Sequence, residues 1–212
     1  MADRLHLDAL AEELTPFRPL SPRLAYAVTA LYLLAGGVFV ILTLGVRSQY
    51  DAGLTDPMFI IRTAILLGLG VASLGAVTAM ARPGVGAPPR GWRWALGAAL
   101  LIPAAALIAA LAGLTPAASE IFPRDGKECL AYSVGIGLVL GGVLTVWLRG
   151  GAPVSPERAG IVIGLASGSF GALAYSMHCP HNELVYVGLW YTLAIAITTL
   201  LGRLIVPRFV RW

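Results

Sequence analysis

Charged side chains are scarce in this sequence, which has Asp, Glu, Lys or Arg at only 12% of its 212 positions. Soluble globular domains carry about 25% charged residues. The chain is also 58% hydrophobic, and its mean hydropathy is +0.80. This balance argues against an ordinary soluble domain and indicates that lipid surrounds most of the chain.

Charge is missing altogether from six long stretches, each able to supply the roughly 20 apolar residues with which a helix crosses a bilayer. They predict an all-α fold, a polytopic membrane bundle of six transmembrane helices in three hairpins, at approximately 25–46, 59–81, 94–114, 129–148, 159–177 and 184–205. We expect two parts, a cytoplasmic N-terminal segment at 1–24 and a six-helix transmembrane domain at 25–212.

None of these stretches has an acid or a base near its centre. Ion-coupled transporters, proton relays and voltage sensors need ionisable groups at membrane depth, so conduction and pumping are disfavoured. The sequence also lacks a Gly-rich phosphate loop, a His-Glu-x-x-His helix and a nucleophile elbow. We therefore predict that the protein is not an enzyme.

The basic residues are distributed unevenly between the two ends of the predicted spans. Eleven of the 15 fall on one side when successive loops alternate. Cytoplasmic loops are enriched in Lys and Arg, so this side is predicted to be the cytoplasm and to hold both termini. Arg62, just inside the second span, is expected to extend outward to the interface or to pair with Asp56.

The N-terminal segment has the pattern of a short amphipathic helix over residues 3–14, followed by three prolines. One interpretation is a helix that rests on the inner leaflet. The other is a docking peptide for a cytoplasmic partner, which is favoured because acidic residues repel an anionic leaflet. Its apolar anchors would be Leu7, Leu10 and Leu14, and its polar rim would be Asp8, Glu12 and Glu13.

Glycines recur at four-residue spacing in the fourth and fifth spans. Helices in lipid associate where small residues let their backbones approach closely. We expect helix packing at Gly137, Gly141, Gly160, Gly164 and Gly168.

Both cysteines are predicted to lie on the outer face, Cys129 at the start of the fourth span and Cys179 between the fifth and the sixth. Three interpretations stay open: structural thiols or a structural disulfide, a redox-sensing or metal-sensing pair, and a permanent metal site. Thiols, imidazoles and carboxylates suit soft and borderline metals. The candidate metal ligands are His178, Cys179, His181, Glu183 and Cys129.

The end of the chain carries a resemblance to a known family. Its motifs are Tyr175 with the His178-Cys179-Pro180 loop, then Trp190-Tyr191 and a closing Arg211-Trp212. Further matching positions are Gly160, Gly164, Gly168, Gly151, Pro153, Cys129, Pro83, Gly84, Leu10, Ala11 and Pro16. In these features, over nearly the whole chain, the sequence resembles the NrsF-type membrane anti-sigma factors of proteobacteria, the negative regulators of sigma-F.

The resemblance implies a protein that tethers an extracytoplasmic-function sigma factor at the bacterial inner membrane and keeps it from RNA polymerase. It also implies a response to heavy-metal or oxidant stress through paired outer cysteines, whose positions Cys129 and Cys179 match. We then expect the sigma factor as partner through the N-terminal segment, no direct contact with nucleic acid, no obligatory cofactor, and a heavy-metal ion as a transient ligand. The alternatives are a small metal transporter or channel subunit, and a membrane scaffold without a ligand.

Overall fold

A computed structural model describes residues 20–45, 57–82, 91–113, 126–151 and 153–210, without the side chain of Trp92. All regular secondary structure in these ranges is helical. The helices are α1 (Pro22–Leu44), α2 (Pro57–Met80), α3 (Gly91–Ala99), α4 (Leu101–Leu111), α5 (Gly126–Arg149), α6 (Pro156–Tyr175) and α7 (Leu184–Val210).

Six helical segments are long and apolar enough to cross a membrane, which confirms the predicted number of spans and the all-helical fold. The third of them, Arg93–Leu111, is not one regular helix, because α3 and α4 meet at a turn at Leu100. Pro103 explains the break: it has no N–H for the carbonyl of Ala99, and its ring crowds that carbonyl. The N–H of Leu100 bonds instead to the carbonyl of Gly97, at 3.2 Å.

Helix α6 occupies the centre of the bundle. Every residue from Val162 to Tyr175 is buried. It packs mainly against α7, α5 and α2. Helix α1, by contrast, buries only Ala25, Thr29 and Val40. The core is therefore four helices, with α1 and the third span at its periphery.

The five glycines expected to pack helices all lie at contacts of α6 with its neighbours. A Cβ added to Gly137 of α5 would lie 2.9 Å from the carbonyl oxygen of Ser167 in α6. Gly141 faces the same serine, whose hydroxyl would be 3.3 Å from the added atom. The other three, which are Gly160, Gly164 and Gly168 of α6, lie against the backbone of α7.

Contacts between helix termini define two ends of the bundle. At the thiol end, α1 and α6 finish while α2, α5 and α7 begin. There, the His178 ring nitrogen Nδ1 lies 3.0 Å from the carbonyl oxygen of Gly45. At the opposite end, the residues that follow α2 and α5 meet the start of the described chain: a Cβ on Gly151 would lie 2.9 Å from the carbonyl oxygen of Ala81 and 3.1 Å from the side chain of Leu20. Helices α1 and α6 therefore run toward the thiol end, and α2, α5 and α7 run away from it.

Candidate thiol site

The two cysteines, 50 positions apart in sequence, lie side by side at the thiol end. Cys129 is in the first turn of α5, and Cys179 is in the connection between α6 and α7. Both are free thiols, with 0% and 1% of their surface exposed. The side chains are hydrogen-bonded to each other. A reaction that joins them therefore needs no large rearrangement of the chain.

A compact turn after α6 brings Cys179 back into the bundle. The backbone N–H groups of His178 and Cys179 both donate to the carbonyl of Tyr175, at 3.0 and 3.2 Å. These bonds satisfy a carbonyl that a helix end would otherwise leave unpaired. Pro180 then prevents the helix from continuing.

Arg62 of α2 lies beneath this connection, where the protein buries its side chain. The side chain is only 1% exposed. Its guanidinium donates to the carbonyl oxygens of His181, at 2.6 Å, and of Ser176, at 3.3 Å. The short connection offers buried acceptors within reach, so the side chain turns inward. Asp56, the other expected partner, lies outside the described residues.

Aromatic rings complete the surroundings of the guanidinium. Its carbon Cζ lies 5.3 Å from the centre of the Phe59 ring and 5.5 Å from that of Tyr191. Cations in this range are attracted to the face of an aromatic ring. Two carbonyls and two rings therefore stabilise the buried positive charge.

The surroundings of Cys179 favour its ionised form. The hydrogen bond from the Cys129 thiol is the main cause, and the charge of Arg62 adds to it, so that the pKa of Cys179 is lowered to about 5 despite its burial. The reactive form of cysteine is the thiolate. When the pair loses a proton, the negative charge is therefore favoured on Cys179.

The remaining predicted metal ligands do not surround the thiols. Besides the contact of His178 with Gly45, the ring of His181 lies with Nδ1 3.8 Å from a carboxylate oxygen of Glu183 and with its centre 4.5 Å from that of Tyr186. In the parts of the chain that the structure describes, no three His, Cys, Asp or Glu side chains form a group that could hold a metal ion. The described residues thus present a two-thiol site.

The predicted docking residues Leu7, Leu10, Leu14, Asp8, Glu12 and Glu13 lie outside the described residues, as does the predicted N-terminal helix. Conversely, the sequence did not suggest that Arg62 belongs to the thiol site. A signal was present, because a cation one turn or so inside an apolar span is costly and needs a buried partner.

A family model and two similar proteins all assign this chain to the same family. Residues 10–212 match the family described as "NrsF: Negative regulator of sigma F". The anti-sigma-F factor NrsF of Caulobacter vibrioides is 30% identical over 213 residues, which cover 97% of each chain. A probable anti-sigma-F factor NrsF of Azospira oryzae is 27% identical over 197 residues, which cover 88% of each chain. No solved structure matches this chain.

Proposed function

This chain belongs to the NrsF family of negative regulators of sigma F, and we propose that it is a membrane-bound anti-sigma factor that holds an extracytoplasmic-function sigma factor at the bacterial inner membrane. Two relatives that match most of its length are named as anti-sigma factors. Six apolar helices supply the membrane attachment. The arginine bias of the sequence supports an orientation with both termini in the cytoplasm.

We place the sigma factor on the N-terminal segment, residues 1–24. Leu20, near the end of that segment, lies against Gly150 and Gly151 at the end of the bundle opposite the thiols. Under the proposed orientation, that end faces the cytoplasm, where a sigma factor is found. The segment's leucine-rich face would supply apolar anchors, with the acidic residues at its rim.

Triple replacement of Leu7, Leu10 and Leu14 by alanine tests this docking surface. We expect the variant to stay in the membrane and the sigma regulon to become active without stress. A matched triple replacement of Asp3, His6 and Thr15 by alanine, which leaves the leucines in place, should retain repression. If the leucine variant still represses fully and still co-purifies with the sigma factor, the docking surface is elsewhere.

We propose further that the thiol pair senses oxidants. The observation that supports this role most strongly is the buried contact between the Cys129 and Cys179 side chains. Each thiol gives up one proton and one electron as the sulfur–sulfur bond forms. Hydrogen peroxide accepts both electrons and both protons, its oxygen–oxygen bond breaks, and two water molecules leave. Disulfide formation would then favour a second packing of the bundle that holds the sigma factor less tightly.

Single replacements Cys129→Ser and Cys179→Ser test the sensor. Each variant should repress the sigma regulon in unstressed cells and fail to induce it after peroxide. Ser176→Ala, which alters a buried residue of the same connection and leaves both thiols, serves as the matched control. Normal induction in both cysteine variants would contradict the sensing role. A response lost to cadmium and retained to peroxide would instead indicate a soft metal bridged by the two sulfurs.

A further inference from the structure

Arg62 is the only Arg, Lys, Asp or Glu among the buried residues that the structure describes. No carboxylate within the described ranges pairs with it, and its Nε has no hydrogen-bond partner there. A buried charge is costly unless hydrogen bonds or an opposite charge compensate it. The position of this arginine therefore depends on its hydrogen bonds to two carbonyls of the connection that carries Cys179. It also depends on whether the neighbouring sulfur atoms carry a charge or are joined in a disulfide.

We propose that Arg62 is the positioning residue that couples the thiol pair to helix α2, by fastening the connection that carries Cys179 and releasing it when the disulfide forms. This inference rests on the proposed sensing role. It assigns to Arg62 the transmission of the signal, while the cysteines receive it.

The coupling follows from what a disulfide requires. Bonded sulfurs lie about 2.05 Å apart, much closer than two free thiols approach, so the bond draws Cys179 toward α5. The carbonyl of His181, only two residues further along the chain, moves with it and changes its position relative to Arg62, so that the 2.6 Å hydrogen bond between them is disturbed. At the same time, the bonded sulfur can no longer balance the positive charge. The guanidinium thus loses both a hydrogen-bond acceptor and a nearby negative charge. Helix α2 shifts so that hydrogen bonds to the guanidinium form again.

Helix α2 leads from the thiol end to the end where the N-terminal segment begins. Its 24 residues span roughly 36 Å at about 1.5 Å per residue. Ala81, one residue past its last turn, has its carbonyl oxygen against Gly151, which also faces Leu20. A shift of α2 at Arg62 therefore changes the contact of Ala81 and Leu20 with Gly151. Residues 1–19 directly precede Leu20 in the chain.

The test separates disulfide formation from release of the sigma factor. Full-length protein in nanodiscs, loaded with the sigma factor, is treated with hydrogen peroxide. Mass spectrometry of the alkylated protein reports the disulfide, and a pull-down reports the sigma factor retained. We compare wild type with Arg62→Met, which keeps the aliphatic stem and removes the guanidinium. Arg203→Met, at an exposed arginine of α7, is the matched control.

We expect Arg62→Met to form the disulfide and to release at least tenfold less sigma factor than wild type, while Arg203→Met behaves as wild type. Arg62→Lys keeps the positive charge but loses the guanidinium that donates to two carbonyls at once, so it should release an intermediate amount of sigma factor. If Arg62→Met does not fold, Arg62→Lys provides the test. Full release by either Arg62 variant would overturn the coupling. Loss of the disulfide in Arg62→Met would also overturn it, since Arg62 would then serve the thiols alone. A wild-type protein that forms the disulfide and keeps its sigma factor would instead refute the proposed sensor.

Discussion

Replacement of Gly164 by alanine tests the contact on which the centre of the bundle depends. Gly164 of α6 lies against α7, and an added Cβ would be 2.5 Å from the carbonyl oxygen of Thr198 and 2.9 Å from its carbonyl carbon. Ordinary contacts of a Cβ begin near 3.4 Å. Because these are backbone atoms of a helix, no side chain can rotate away. The two helices must separate by about 1 Å, the extent of this overlap.

The expected free-energy change follows from three contributions. Forcing an extra methyl group into a packed contact costs about 1–3 kcal/mol. Separation also weakens the hydrogen bond from the Thr198 hydroxyl to the carbonyl of Gly164, now 3.1 Å, which is worth about 0.5–1.5 kcal/mol. Alanine returns about 0.5–1 kcal/mol through its higher helix propensity. The net effect is a destabilisation of about 0.5–4 kcal/mol, and each kcal/mol lowers the melting temperature by roughly 2–4 °C.

The measurement is thermal unfolding of the purified protein in detergent, monitored by circular dichroism. Gly142→Ala is the matched control, because a Cβ at this glycine of α5 would meet nothing within 4 Å. It should leave the melting temperature unchanged or raise it slightly. Equal melting temperatures for the two variants would refute the argument that backbone contact at Gly164 sets the spacing of α6 and α7.

Two other predictions concern the thiols and helix α1. Because the pKa of Cys179 is lowered to about 5, its ultraviolet thiolate absorbance, measured as the difference between wild type and Cys179→Ser, should be constant from pH 6 to 8 and fall as the pH drops through 5. The absorbance of an ordinary thiol would rise roughly tenfold per pH unit over the same range. Cys129→Ala removes the main cause and should move this dependence to higher pH, and an unchanged profile would contradict the assignment. Tyr32→Phe removes the hydrogen bond, 2.6 Å long, from the tyrosine hydroxyl to the carbonyl of Ile136. This loss should destabilise the contact of α1 with α5 by about 0.5–1.5 kcal/mol. Faster proteolysis at the ends of α1 would report it. Trp94→Phe, at an exposed side chain of α3, should not change that rate.

The number and class of the helices were predictable from the sequence, because stretches without charge report directly on the lipid that surrounds them. The break in the third span and the end of α7 depend on individual residues, which overall composition does not report. Pro103 interrupts the third span, and α7 continues through Pro207 to Val210, beyond the predicted end at 205. Pro207 has no N–H for the carbonyl of Arg203, yet the helix continues for three residues beyond it.

The thiol site was predictable only in its parts. Cys129 and Cys179 stood out as the reactive side chains, but whether they meet depends on how α5 packs against the turn after α6, which no local pattern encodes. Arg62 shows the same limit. Its place one turn inside a span was visible in the sequence, whereas its acceptors are backbone carbonyls more than 100 positions away.

The central place of α6 has a consequence for how the protein is made. This helix is the least apolar of the six spans and buries glycine and serine where lipid-facing helices carry leucine, so it partitions into a bilayer weakly by itself. Its tightest partner, α7, leaves the ribosome after it. We therefore expect α6 to wait at the insertion machinery and to enter lipid together with α7 as a hairpin. A chain cut short before α7 would expose α6 and become a substrate for membrane proteases, so that only completed molecules accumulate.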